Sequence, residues 1–174
     1  MREGEKAYGK YTSPSVYQII CVMRKINLIV IHCSATPVDH DYTPEQMTRD
    51  HLARGFNSAG YHFYIRKSGY VFHLRPLDVI GAHVEGYNAN SVGICYEGGL
   101  DVNGKPIDTR TVQQKESLVR IISELKALYP AIKKVCGHRD LSPDLNHDGT
   151  IEANEWMKTC PCFNAIPEYK SLIV

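Results

Sequence analysis

The feature that most constrains the fold is an apolar run between Lys25 and His32. Its aliphatic residues, Ile26 and the unbroken stretch 28–31, leave no polar face, which is typical of a strand covered on both sides. A strand of this kind lies inside a sheet, and a polar residue at its end faces a cleft lined by loops. We therefore expect a central strand that presents His32 at the edge of the sheet.

Strand and helix patterns alternate along the rest of the chain. A capping sequence begins a helix at Thr43 that ends near Gly55, and a helical apolar stripe begins at Thr111 and ends at Pro130. Further strands are predicted at 60–65, 70–74, 91–96 and 133–136, the first two as a hairpin. This order, without repeats, predicts a single α/β domain with a mixed central β-sheet flanked by helices.

Length and charge limit the classes of partner. The 174 residues, 43% of them hydrophobic, suffice for one domain with a full core. A net charge of +1, from 20 basic and 19 acidic side chains, gives no reason to expect nucleic acid. No apolar run approaches the roughly 20 residues that span a bilayer. We expect no nucleic acid, no membrane insertion and a monomer.

The amino-terminal segment differs from the rest. Its apolar run 16–23 is short, is interrupted by Gln18, and is followed by two basic residues without a small-residue cleavage site. We therefore expect no signal peptide. Residues 1–22 are predicted to be a poorly ordered extension, and residues 23–174 to form the domain.

The stretch 135–163 carries most of the reactive side chains, namely His138, Lys158, Cys160 and Cys162. A histidine and a thiolate brought together from the two ends of a long loop suggest zinc, which binds nitrogen and sulfur and takes three protein ligands at catalytic sites. The best third donor is His32, because the strands that end before His32 and His138 would present both histidines at the same rim.

Two other readings of these residues stay open. A lone histidine at a strand end is more often a hydrogen-bonded structural residue, although the company of His138 and Cys160 favours a ligand. Alternatively, both cysteines could join His138 and His147 in a closed structural zinc site, which would leave His32 unexplained. The remaining candidate thiols, Cys33, Cys95 and Cys136, are expected in the core, and no disulfide framework is expected without a secretion signal.

An acidic segment at 144–155 has the spacing of a twelve-residue calcium loop. Its oxygen donors would be Asp144, Asn146, Asp148, the carbonyl of Thr150, Glu152 through water, and a bidentate Glu155. Gly149 occupies the position of the sharp turn. Pro143 argues against a full entering helix and no second loop pairs with this one, so a solvated loop held by Asx turns is the alternative.

Six motifs occur in one order across residues 24–163. They are HCSAT at 32–36, GYHFYI at 60–65, GAHVEGYN at 81–88, NSVGI at 90–94, GHRD at 137–140 and KTCPCF at 158–163. With them the chain resembles the zinc-dependent N-acetylmuramoyl-L-alanine amidases of the phage-lysozyme type, which share a fold with animal peptidoglycan recognition proteins. The acidic segment and Cys162 depart from the family pattern.

The resemblance implies functional residues. It implies zinc bound by His32, His138 and Cys160, with Tyr61 and Lys158 acting beside the metal. It also makes two residues of the loop 81–88 candidates for substrate contact, His83 and Asn88.

The activity implied is hydrolysis of the amide bond between N-acetylmuramic acid and L-alanine in peptidoglycan or muropeptides. The chain has no HExxH motif to supply a helical glutamate base, so the hypothesis is attack by zinc-activated water, with Lys158 stabilising the oxyanion and Tyr61 orienting the water. Glu97 is a further acid–base candidate, although an exposed strand-end charge is the simpler expectation.

A non-catalytic peptidoglycan-binding module of the same fold is the alternative function. The presence of all three zinc ligands favours the enzyme. We expect synthesis in a bacterial or phage-infected cytoplasm, with action on the cell wall after release or on cytoplasmic wall fragments.

Overall fold

Five strands form a mixed sheet in the computed structural model, which describes residues 24–174. The extension expected at 1–22 lies outside the described residues. The strands in chain order are β1 (Leu28–Cys33), β2 (Thr36–Pro37), β3 (Phe63–Ile65), β4 (Val71–His73), β5 (Ser91–Tyr96), β6 (Gly99–Leu100) and β7 (Lys134–Gly137). The sheet order is β4-β3-β5-β1-β7, and only the β3–β4 hairpin is antiparallel. Strands β2 and β6 form a separate parallel pair.

Strand β1 is covered on both faces, as its sequence predicts. Ile29, Ile31 and Cys33 belong to the main core. Leu28 and Val30 point to the opposite face, where they pack with residues of the loop before β5 and with the end of β7. Since side chains alternate along a strand, His32 shares the face of Leu28 and Val30. The ligand candidate therefore lies on the face away from the main core.

In the described part of the chain, three α-helices surround the sheet: α1 (Pro44–Ala53), α2 (Val112–Leu128) and α3 (Ala165–Tyr169). Thr43 caps α1 by accepting a hydrogen bond from the N–H of Gln46, and Thr111 and Gln114 form a full capping box on α2. Helix α2 buries its apolar stripe on the main core, as predicted. None of the helices formed by residues 24–174 has the length and apolarity needed to cross a bilayer. Single 3₁₀ turns lie at Asn88–Asn90, Arg139–Leu141 and Lys170–Leu172.

Glu97 is not the exposed charge that its position suggested. Its side chain is fully buried and accepts hydrogen bonds from the Arg66 guanidinium at 2.7 Å and from the backbone N–H groups of Tyr42 and Lys67. A buried carboxylate is stable only when its oxygens are satisfied in this way. The exposure prediction is wrong, and Glu97 instead joins the end of β5 to the segments before α1 and after β3.

Candidate metal and catalytic site

Three side chains converge at the carboxyl edge of the sheet. His32 lies near the end of β1, His138 directly follows β7, and Cys160 lies in the carboxy-terminal segment. Their ligand atoms all lie within 4.8 Å of one another, with His32 Nδ1 3.2 Å from His138 Nδ1 and 3.8 Å from Cys160 Sγ. Because β1 and β7 are adjacent parallel strands, the two histidines reach the same edge. Two imidazoles and a thiolate at these distances can hold a metal ion.

The segment carrying Cys160 is fixed by backbone hydrogen bonds. The N–H of Arg139 donates to the carbonyl of Cys160 at 2.9 Å, and the hydroxyl of Tyr96 donates to the carbonyl of Pro161 at 2.6 Å. The N–H of Cys33 donates to Cys160 Sγ at 3.2 Å. This contact holds the sulfur of Cys160 against the end of β1, next to His32.

A chain of hydrogen bonds behind His32 defines its tautomer. The hydroxyl of Ser91 donates to the carbonyl of Tyr87 at 2.7 Å and therefore accepts from Nε2–H of His83 at 3.3 Å. Nδ1 of His83 is then an acceptor, and it lies 3.0 Å from Nε2 of His32. His32 consequently carries its proton on Nε2. Its Nδ1 lone pair faces His138 and Cys160, as a metal ligand requires.

Burial keeps the histidines of the site neutral. It lowers the pKa of His32 well below its usual value, with smaller contributions from His83, His138 and Lys158. Burial, followed by the charge of Lys158, lowers the pKa of His138 to about 4. Burial also lowers the pKa of His83 to about 3. At neutral pH these rings have lone pairs available, which is the state that metal binding needs.

Tyr61 packs near His32, and the charge of Lys158 acts on His32 and His138. The ring centroid of Tyr61 is 5.0 Å from that of His32. Burial raises the pKa of Tyr61 well above its usual value, so its hydroxyl keeps its proton at neutral pH. Lys158 is exposed, and its charge contributes to the lowered pKa of both His32 and His138. A neutral phenol and a cationic ammonium can each donate a hydrogen bond beside the ligand cluster.

The loop before β5 supports the site from behind. His83 is only 8% exposed, and both of its ring nitrogens have hydrogen-bond partners. His83 thus lies behind His32, and its expected contact with substrate stays a prediction. Asn88 Oδ1 accepts hydrogen bonds from the N–H groups of His83 and Val84 at 2.8 and 3.0 Å. A substrate contact of Asn88 stays a prediction.

The closed four-ligand site is not formed. Within residues 24–174, the group of His32, His138 and Cys160 is the one cluster with metal-binding distances. His147 lies in the exposed acidic loop, and Cys162 Sγ faces Cys33 Sγ at 3.8 Å. The alternative with Cys162 and His147 as ligands is wrong because those side chains point elsewhere.

The acidic segment folds back on Glu155. This carboxylate is 5% exposed and accepts hydrogen bonds from the N–H groups of Leu145, Asn146 and Glu152. These hydrogen bonds, that of Glu152 first, lower its pKa. The segment therefore closes as a loop around the final glutamate, with Asx turns at Asn146 and Asp148.

The first residue of this loop has one unsatisfied oxygen. Asp144 Oδ2 accepts a hydrogen bond from the N–H of Gly149 at 2.8 Å, whereas Oδ1 is buried without a hydrogen-bond partner. Gly149 has a φ of +86°, which glycine adopts without strain. The sharp turn thus lies where the twelve-residue spacing predicts it.

Two contacts join the exit of the acidic loop to the segment that follows His138. The Arg139 guanidinium lies over the ring of Trp156, 4.1 Å from its centroid, and the N–H of Met157 donates to Ser142 Oγ at 3.1 Å. Arg139 follows His138 and bonds the carbonyl of Cys160. The loop exit is therefore packed against the residues next to two of the ligands.

Two groups that position the site could not be identified from the sequence. Ser91, which orients His83, had no signal beyond its place at the start of a buried strand. The amide of Cys33 that bonds Cys160 carries no side-chain signal at all.

Comparison with known proteins gives a consistent group of relatives. A profile of the N-acetylmuramoyl-L-alanine amidase family, Amidase_2, matches residues 22–162. The endolysin of Enterobacteria phage K11 is 36% identical over 129 residues, covering 74% of this chain and 83% of the endolysin. An uncharacterized Haemophilus influenzae protein is 52% identical over 90 residues, or 52% of this chain and 77% of that protein.

Solved structures show the same fold. The N-acetylmuramoyl-L-alanine amidase LysC from Clostridium intestinale URNW aligns with a TM-score of 0.65 at 28% identity, covering 95% of this chain and 92% of LysC. Drosophila PGRP-LB aligns with a TM-score of 0.61 at 25% identity, covering 85% of this chain and 81% of PGRP-LB.

Proposed function

The chain belongs to the N-acetylmuramoyl-L-alanine amidase family and is a peptidoglycan amidase, and we propose that His32, His138 and Cys160 bind its catalytic zinc ion. The observation that carries this proposal is the convergence of their ligand atoms within 4.8 Å. The donor set fits the metal, because zinc prefers imidazole and thiolate ligands and keeps an open position when only three come from the protein. The orientation of His32 Nδ1 by His83 supports the same reading.

Two residues of the chain would act on the scissile amide between N-acetylmuramic acid and L-alanine. Zinc at such a site supplies Lewis acidity toward a carbonyl and toward water. The ammonium of Lys158 donates a hydrogen bond to the oxygen on which negative charge develops. The hydroxyl of Tyr61 orients the attacking water or takes part in its proton transfer. Removing one oxyanion donor typically lowers turnover by about 10²–10³-fold.

The proposed substrate is peptidoglycan or its muropeptides. The relatives from phages are named endolysins, which supports synthesis in the cytoplasm followed by action on the wall after release. Action on cytoplasmic wall fragments is the alternative place of work. We propose that residues 23–174 act as one monomeric amidase domain.

Digestion of purified peptidoglycan tests the activity. Mass spectrometry of the products is expected to show free stem peptides that begin with L-alanine, together with glycan strands whose lactyl groups carry a free carboxylic acid. Lys158→Ala is the matched control, since it leaves the three ligands in place. Wall that is bound but not cut by the zinc-loaded protein would favour the non-catalytic binding module.

We propose in addition that the acidic loop binds calcium through Asp144, Asn146, Asp148, the carbonyl of Thr150 and Glu155. The support is the complete twelve-residue spacing, the turn at Gly149, and the buried Oδ1 of Asp144 that has no hydrogen-bond partner. Calcium would fix the loop exit, and with it the segment that carries Lys158 and Cys160, without joining the chemistry.

Calorimetric titration of the zinc-loaded protein tests this second site. Wild type should release or absorb heat on binding calcium at or below about millimolar concentration, and Asp144→Ala should not. Absence of heat from both proteins would leave the segment as an ordinary acidic loop held by Asx turns.

A further inference from the structure

Two thiols that are not among the proposed metal ligands lie next to the cluster of His32, His138 and Cys160. Cys33 Sγ and Cys162 Sγ are 3.8 Å apart. Cys33 ends β1 and is 5% exposed, whereas Cys162 is half-buried in the carboxy-terminal segment. The two residues flank the ligands closely, because Cys33 follows His32 and Cys162 lies two residues after Cys160.

Both thiols are held in place by their backbones. Cys33 lies opposite Tyr96 in the register between β1 and β5. The hydroxyl of the same Tyr96 donates to the carbonyl of Pro161 at 2.6 Å, and the N–H of Cys162 donates to the carbonyl of Thr159 at 2.9 Å. The close approach of the sulfurs is therefore a consequence of the fold around them.

The two sulfurs need to move only a short distance to form a bond. A disulfide needs a separation of about 2.05 Å, so together the two sulfurs must approach by somewhat less than about 2 Å. Gly99 lies against the pair, and a Cβ at this position would be 2.5 Å from Cys33 Sγ and 3.7 Å from Cys162 Sγ. A larger residue at position 99 would displace the Cys33 side chain, so glycine here permits the observed approach of the two sulfurs.

We propose that Cys33 and Cys162 form a reversible disulfide when the folded protein meets a small disulfide oxidant such as oxidised glutathione. The more exposed Cys162 attacks the oxidant, forming a mixed disulfide and releasing one glutathione. Cys33 then attacks Cys162 Sγ and releases the second glutathione. Two protein thiols are oxidised and one glutathione disulfide is reduced to two thiols, without net change in protons.

The cross-link would fasten together the two segments that carry zinc ligands. It joins the end of β1, next to His32, to the segment of Cys160, and it uses none of the three ligand atoms. An enzyme that leaves a reducing cytoplasm for an oxidising wall compartment would gain this tie on arrival. This last step rests on the proposed place of action, whereas the cross-link itself is independent of amidase activity.

Peptide mapping of the zinc-loaded full chain tests the proposal. The protein is incubated for a long period with oxidised glutathione at mildly alkaline pH, because the thiolate is the attacking form of a cysteine and higher pH favours it. After alkylation of free thiols, the expected product is a peptide pair joined through Cys33 and Cys162, with the mass reduced by two hydrogens and restored by dithiothreitol. Alkylated Cys33 and Cys162, or a cross-link through Cys160, would overturn the proposal.

Matched cysteine variants separate this pair from other thiols. Cys162→Ser should give no cross-link, whereas Cys136→Ala, which removes a buried thiol elsewhere, should cross-link as wild type does. The oxidised wild type should also melt several degrees above its reduced form, since the bond closes a long loop, and Cys162→Ser should melt at the same temperature under both conditions. If Cys162→Ser cross-links through another pair as fully as wild type does, the proposed bond is wrong, and an unchanged melting temperature of the cross-linked wild type would overturn its stabilising effect. The cross-linked wild-type peptide decides the matter should a variant fold poorly.

Discussion

Replacing His83 by leucine should weaken zinc binding without removing a ligand. The ring of His83 accepts the Nε2–H of His32 at 3.0 Å, and this bond directs the Nδ1 lone pair of His32 toward His138 and Cys160. Leucine cannot accept that hydrogen bond, so the proton of His32 would be buried without a partner. Outer-shell partners of metal-bound histidines typically contribute about 10–100-fold in metal affinity, or about 1.4–2.7 kcal/mol.

Competition with a chromogenic zinc chelator measures this effect. His83→Leu should show a zinc dissociation constant about 10–100-fold above that of wild type, with an unchanged circular dichroism spectrum. His83→Asn is the matched control, because its side-chain oxygen can take the place of Nδ1 and should restore most of the affinity despite poorer packing. Wild-type affinity in a folded His83→Leu protein, or equal losses in both variants, would refute the hydrogen-bond reasoning.

Other predictions address the ligands, the chemistry and the core. Purified protein should carry close to one zinc per chain, and elemental analysis should find it lost in Cys160→Ser but kept in Cys162→Ser; equal loss would contradict a single thiolate ligand. Lys158→Ala and Tyr61→Phe should keep zinc and fold but release stem peptides far more slowly, by about 10²–10³-fold for Lys158→Ala, and cleavage by Lys158→Ala at the unmutated rate would exclude its oxyanion role. Burial of His62 lowers its pKa from 6.5 to about 4. The free energy of unfolding should therefore fall by about 3 kcal/mol as the pH falls from above 6.5 to 4, because the unfolded chain binds a proton there and the folded chain does not. An equally steep loss in His62→Gln would show that other groups cause the pH dependence.

The central strand and the two long helices could be predicted because their signals are local. Five aliphatic residues before His32 predict a strand covered on both faces, and the capping residues Thr43 and Thr111 mark the helix starts that the structure has. The neighbourhood of His32 and His138 also followed from the sequence, since parallel strands bring their carboxyl ends to one edge.

The features that the sequence did not predict depend mainly on contacts between residues that are distant in the chain. No residue near Glu97 in the sequence indicates that Arg66 is its partner, so the burial of Glu97 could not be predicted. The inward position of His83 depends in the same way on Ser91 and His32. The short helix α3 contains Pro167 and lacks a side-chain cap, and the sequence offered no signal for it.

The position of the ligands along the chain has a consequence for synthesis. His32 leaves the ribosome early, but its neighbours in the sheet come from residues 91–96 and 134–137, and the thiolate ligand is residue 160. Such long-range pairings form only after the intervening chain is available. A nascent chain that ends before residue 160 therefore lacks the thiolate of the proposed metal site. The proposed metal site can therefore form only after translation has passed residue 160, and shorter nascent chains should not hydrolyse the wall.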